Sequence, residues 1–253
     1  MLTNVWMAFL LTTGAGLATT IGSVLGLAVR KPGSKFMGFT LGFSAGVMIL
    51  VSFSELLPRS ILSVGFLSAH VGFFIGMFSF FLIDTVIPHE YIGQHDYADR
   101  RNNKALLRTG LLVALGIGIH NFPEGMATFA GALDNVHIGT AIAIAVAMHN
   151  IPEGLAVSAP IYAATGSRQK AFLWSFLSGV SEPIGAGLTA CVLLPFLTPV
   201  VLGWVLAAVA GIMVAVSVDE LIPVAKSFDT EHTPFMGVVL GMFVMALSLW
   251  MLK

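Results

Sequence analysis

A chain of 253 residues that is 57% hydrophobic and only 10% charged lacks the charge to cover a water-soluble globule, since ordinary soluble domains carry about 25%. The net charge of −1 comes with no basic run, which excludes nucleic acid as a partner. The single cysteine, Cys191, excludes an internal disulfide and any paired-cysteine metal site, and in its apolar setting it reads as a small core residue. The composition therefore predicts an all-α, polytopic membrane protein with the lipid bilayer as its solvent.

Eight apolar runs are long enough to cross a bilayer as helices: roughly 4–29, 36–57, 63–87, 106–131, 137–161, 170–196, 199–224 and 234–252. Together they make one transmembrane domain over 1–253. The runs are continuous rather than alternating, which excludes a β-barrel. The first lacks a basic leader and is too long for a signal peptide, so it reads as a true span. Turn chemistry marks the breaks, as at Arg30-Lys31-Pro32-Gly33, Pro58-Arg59-Ser60 and Thr165-Gly166-Ser167. Lysine and arginine orient the spans. With the N-terminus outside, the inner connections hold Arg30, Lys31, Lys35, Arg100, Arg101, Lys104, Arg108, Arg168, Lys170 and Lys226, and the outer side holds Arg59 and Lys253. Both termini are therefore expected outside.

Two repeats organise these spans. Residues 45–58, AGVMILVSFSELLP, match residues 210–223, AGIMVAVSVDELIP, at Ala, Gly, Met, Val, Ser, Glu, Leu and Pro, with a constant offset of 165. They end spans two and seven, which run in opposite directions, so the repeat is inverted. If spans one to three mirror six to eight, spans four and five remain as a central pair. That pair carries the second repeat, His120-Asn121-Phe122-Pro123-Glu124-Gly125 and His149-Asn150-Ile151-Pro152-Glu153-Gly154. Many secondary transporters build a midplane site from inverted repeats with broken helices.

A charge at the bilayer centre costs roughly 2.5–3.5 kcal/mol on insertion scales, so the residues that bear this cost are the functional candidates. They are His120, Asn121 and Glu124 in span four, His149, Asn150 and Glu153 in span five, and Glu182 in span six. His120 and Glu124 share a helix face at i, i+4, and Asn121 and Glu124 are neighbours at i, i+3. Each glutamate can therefore serve a histidine on one side and an asparagine on the other. Two such helices face to face offer a mixed nitrogen and oxygen set suited to a divalent transition metal. Two adjacent metal positions are then possible. One is His120, Glu124, His149 and Glu153; the other is Asn121, Glu124, Asn150 and Glu153, with Glu182 added. Pro123 and Pro152 cannot donate to the carbonyls of Ile119 and Met148, so each helix is expected to kink and free an acceptor there.

A proton relay without metal is the competing use of buried carboxylates, but the imidazoles and carboxamides favour metal. An enzyme is not expected. An intramembrane zinc protease needs HExxH, a di-iron enzyme needs ExxH pairs, and neither spacing occurs at the paired motifs. No catalytic cofactor is called for, and no phosphate-binding GxxxxGK[ST] loop is present. Glu55, Asp84, Asp219 and Glu220 lie near span ends, where they line an entrance and exit or anchor helix ends. His89, Glu90, His95, Asp96 and Asp99 form an inner loop that is either an exit relay or simply solvated. His70, His137 and His232 read as solvated. The series Gly38, Gly42 and Gly46 and the pair Gly72 and Gly76 read as close helix packing.

HNFPEG and HNIPEG in consecutive spans, with SEPIG around Glu182, resemble the signature of the ZIP family of divalent metal-ion transporters, most of all its bacterial zinc-transporting branch. The resemblance extends over all eight spans. It implies a 3+2+3 inverted-repeat fold and a binuclear site made by the seven residues named above. It also implies import into the cytoplasm of zinc as cargo, with iron, manganese, cobalt or cadmium also accepted. A bacterial inner-membrane location and a homodimer are implied as well, with helices one, four, five and six moving against two, three, seven and eight. The inner loop between spans three and four departs from many eukaryotic relatives in lacking a long histidine run.

Overall fold

The computed structural model describes residues 2–28, 33–86, 103–193, 196, 198–229 and 231–251. Apart from a few residues at turns, these are helical and form eight rods: α1 Leu2–Ala28, α2 Ser34–Val64, α3 Phe66–Val86, α4 Asn103–Asp134, α5 Val136–Thr165, α6 Arg168–Leu188, α7 Pro199–Phe228 and α8 Thr233–Met251. They match the eight predicted runs in order. Stretches of α1, α2, α5, α7 and α8 are long and apolar enough to cross a membrane, and α3 contains a shorter apolar helix, Phe66–Leu82. Outward-facing residues such as Trp6, Leu62, Phe66, Leu67, Phe243 and Trp250 are exposed large hydrophobics, as expected of a lipid-facing wall.

Local chemistry sets the breaks. Gly65 and Gly166 adopt φ of +83° and +65°, the left-handed region that favours glycine, and they separate α2 from α3 and α5 from α6. Asn135 accepts the amide of His137 through Oδ1, Ser167 accepts that of Lys170, and Thr198 accepts that of Val201 ahead of Pro199. These side chains satisfy amides that the first helical turn leaves without a partner. At the α7–α8 turn, Asp229 accepts the Glu231 amide at 3.1 Å, while Glu231 pairs with Lys35 of α2 at 2.9 Å. Hydrogen bonds from the Thr233 side chain and from that amide hold the Asp229 carboxyl below the usual carboxylate range.

The longer inverted repeat has a backbone counterpart. α2 widens into a π-helical turn at Ser52–Leu56 and α7 does the same at Ser217–Leu221, again 165 residues apart. Leu57 donates to Ser52 O and Ile222 to Ser217 O, five residues back in each case. Ser52 Oγ and Ser217 Oγ each donate to the methionine carbonyl four residues back at 2.7 Å. Pro58 and Pro223 follow immediately, and the shifted register relieves the clash between a proline ring and the carbonyl four residues behind it. For this reason α2 and α7 run past their prolines, to Val64 and Phe228, rather than ending near 57 and 224 as expected. Pro123, Pro152 and Pro183 also lie inside helices that continue past them. Cys191 corrects another expectation. It is exposed, in a π-helical turn at Thr189–Leu193 that ends α6, because that turn carries it out of the packed face.

The rods pack as two groups. α1, α4, α5 and α6 contact one another extensively, as do α2 with α8 and α3 with α7, while the seams between the groups run along α2–α5 and α4–α7. Asn121, Glu124, His149, Asn150 and Glu153 of the two HNxPEG segments lie buried on helices of the first group.

Candidate metal site

Where α4 crosses α6 and where α5 crosses α1, the backbones nearly touch. A Cβ on Gly125 would strike the backbone carbonyl of Glu182, and one on Gly185 would strike that of Phe122. A Cβ on Gly154 would strike the carbonyl of Thr19, and one on Gly22 that of Ile151. The glycine ending each HNxPEG segment thus seats its helix against a neighbour. This contact sets the depth at which the polar side chains meet.

Asn121, Glu124, His149, Asn150, Glu153 and Glu182 are all buried, with no more than 2% of any exposed. His149 Nε2 lies 3.1 Å from Glu124 Oε2, joining α5 to α4. The Asn150 carboxamide donates to Glu182 Oε1, joining α5 to α6, and to Ala15 O of α1 at 3.0 Å. Asn121 donates to Ser178 O of α6 at 3.1 Å. Glu182 lies within electrostatic reach of both Glu124 and Glu153. Asn121 Oδ1, Asn150 Oδ1 and Glu182 Oε2 have no hydrogen-bond partner among the described residues. Three buried oxygen acceptors without a donor constitute a demand for a cation or a donor.

The structure therefore links five of the seven predicted residues, Glu124, His149, Asn150, Glu153 and Glu182, and buries a sixth, Asn121, against the Ser178 carbonyl of α6. The side chain of the seventh, His120, lies outside the described residues. Among the described residues, no three His, Cys, Asp or Glu side chains are close enough to hold a metal ion.

Sequence reasoning missed several neighbours. Ser44 of α2, fully buried, donates to Glu153 Oε1 at 3.5 Å across the seam between the two groups. The carbonyls of Ala15 and Ser178 hold the two asparagines in place. A serine within a glycine-rich apolar run was the only signal for the first, and backbone acceptors leave no sequence signal.

The remaining candidates are scattered. Glu55, in the π-helical turn of α2, pairs with Arg59 one helical turn on, which supports an anchoring role. Asp219 is half-buried in the corresponding turn of α7. His137 and His232 are exposed, as expected. His70 instead sits half-buried, with Nδ1 2.7 Å from Phe66 O. The side chains of Asp84 and Glu220, and the loop residues His89, Glu90, His95, Asp96 and Asp99, lie outside the described residues. A cavity of about 570 Å³ opens beside α4 and α6, lined by Phe80, Ala114, Phe122, Trp174, Ile212 and other apolar residues. Its two serines, Ser178 and Ser181, donate to carbonyls of their own helix, so it offers little to an ion.

Eight helices, five of them with stretches long and apolar enough to cross a membrane, around buried carboxylates, carboxamides and imidazole define a polytopic membrane protein with a polar interior. The family model described as ZIP Zinc transporter matches residues 88–249, and the chain belongs to that family. Among similar proteins, the "Zinc transporter ZupT" of Chlorobium luteolum is 50% identical over 267 aligned residues, covering 99% of this chain and 100% of that relative. Proteins of the same name from Enterobacter sp. (strain 638) and Escherichia coli O127:H6 are each 46% identical over 250 residues, covering 96% of both chains.

Proposed function

We propose that this chain is a secondary transporter that imports divalent metal ions, zinc foremost, into the cytoplasm through a binuclear site between α4, α5 and α6. The observation that carries this reading is the buried cluster itself. Glu124 meets His149, Asn150 meets Glu182, and Glu182 feels both other glutamates, at mid-helix positions where uncompensated carboxylates are costly. Divalent cations neutralise that charge and occupy the acceptors that the protein leaves without donors. The first position comprises His120, Glu124, His149 and Glu153; the second comprises Asn121, Glu124, Asn150, Glu153 and Glu182. Iron, manganese, cobalt and cadmium are further cargo. The metals are substrates, and neither an enzymatic step nor a catalytic cofactor is part of the reading. The names of the relatives support zinc as the leading ion.

The unit is a single transport domain over 1–253, acting as a homodimer in a bacterial inner membrane with both termini outside. Movement of α1, α4, α5 and α6 against α2, α3, α7 and α8 carries the ion, and the Ser44–Glu153 contact is one that such movement breaks. Purified protein in liposomes should accumulate zinc down its gradient without ATP. Equal zinc entry into protein-free liposomes would sink the proposal.

Orientation has its own test. A cysteine introduced at Ser34, Asn103 or Ser167 is labelled by an impermeant maleimide only from the cytoplasm, and one at Ser60 or Asn135 only from outside. External labelling at Asn103 would overturn the ten-to-two distribution of basic residues as a guide.

Acidification is a further check. Metal binding requires deprotonated imidazole and carboxylate, so protons compete with the ion. Uptake at limiting zinc and zero membrane potential falls as external pH is lowered from neutral. A rise under the same conditions means that protons drive transport.

A further inference from the structure

The crossing of α1 with α6 reveals a third inverted match, at an offset of 163. Residues 16–22 read GLATTIG and residues 179–185 read GVSEPIG, sharing Gly, Ile and Gly. The contacts repeat as well. Gly16 and Gly179 each face the other's carbonyl, so a Cβ on either would strike it. Gly22 faces the Ile151 carbonyl as Gly185 faces that of Phe122, and Gly154 faces the Thr19 carbonyl as Gly125 faces that of Glu182. Asn150 donates to Ala15 O as Asn121 donates to Ser178 O, and 15 and 178 are again 163 apart. Under this relation Glu182 has one counterpart, Thr19. Their side chains sit equivalently, with Glu182 Cβ 3.2 Å from a Cβ built on Gly16 and Thr19 Cβ 3.1 Å from one built on Gly179.

We propose that Thr19 lines the second metal position opposite Glu182 and is a specificity-determining residue for the ion bound there. The inference rests on the second position assigned above. Thr19 is fully buried, and its hydroxyl has no hydrogen-bond partner among the described residues. Thr12, Thr40 and Thr140 donate to the carbonyl four residues back, as helical threonines commonly do. For Thr19 that carbonyl belongs to Ala15, which accepts from Asn150. The free hydroxyl is a neutral oxygen ligand. A carboxylate there would add a fourth buried negative charge to Glu124, Glu153 and Glu182, and mutual repulsion would oppose ionisation of all of them. Threonine in place of a second Glu182 keeps the position oxygen-rich without that repulsion, and oxygen ligands favour manganese and iron relative to zinc.

The test exchanges the two residues. Initial uptake of manganese and zinc is measured in cells lacking other importers, normalised to protein in the membrane. Glu182→Thr lowers manganese uptake about tenfold relative to zinc, the lower end of the loss found when a metal's supporting groups are removed. Thr19→Glu combined with Glu182→Thr returns the ratio to within about twofold of the unmodified protein, because the carboxylate re-enters the same position from the other helix. Thr19→Val lowers the ratio severalfold, and Thr19→Ser preserves it. If Glu182→Thr lowers the ratio but the exchange does not restore it, and Thr19→Val behaves as Thr19→Ser, the assignment of Thr19 is wrong. If Glu182→Thr leaves both metals unchanged, the second position itself is wrong, and the role of Thr19 goes with it.

Discussion

Glu124→Ala or Glu153→Ala abolishes uptake of every divalent metal. Each carboxylate serves both proposed positions, so losing one removes a ligand from each ion at once. Loss of an outer-shell group typically costs 10–100-fold in affinity, and loss of a shared direct ligand is expected to exceed ~100-fold. Glu124→Ala also strips His149 of the carboxylate 3.1 Å from its Nε2, leaving an imidazole in a dry interior. Glu153→Ala removes the acceptor for Ser44, weakening the α2–α5 seam. The measurement is initial uptake of zinc, iron and manganese, normalised to protein in the membrane. Uptake of any one metal at more than a tenth of the unmodified rate would rule out the shared-ligand arrangement.

Selectivity separates the two positions. Glu182→Ala depresses iron and manganese uptake more than zinc uptake, because it removes an oxygen ligand from the second position only. His120→Ala together with His149→Ala does the reverse, because imidazole suits zinc and belongs to the first. The two effects should cross, each by about tenfold in the ratio of manganese to zinc. Glu182→Ala also frees the Asn150 carboxamide from its side-chain partner, though Ala15 O still holds it. If all three substitutions lower every metal by one common factor, a single site should replace the two-position reading.

Much of this organisation was legible in the order of residues. Apolar run length and turn chemistry marked eight helices because a bilayer imposes one span length on every crossing. The two HNxPEG segments and Glu182 stood out because charge inside a membrane is costly enough to be rare. The repeat at 45–58 and 210–223 also foretold a backbone feature, since both copies widen into π-helical turns ahead of a proline. Where local reasoning went astray, packing was the cause. Cys191 looked like a core residue because an apolar helix does not show which of its faces meets lipid.

Helix number, family membership and the identity of six buried polar residues were thus available before any coordinate, because hydropathy and intramembrane charge act position by position. Which groups those residues meet was decided only by the fold. Ala15 and Ser178 contribute backbone carbonyls, and Ser44 reaches Glu153 from a helix in the other group. The relation between Thr19 and Glu182 rests on Gly, Ile and Gly in seven positions, too little to rise above the bias of membrane composition. It becomes visible when paired glycines bring α1 against α5 and α6 against α4, because contact distance, unlike composition, registers one residue against another across the interior.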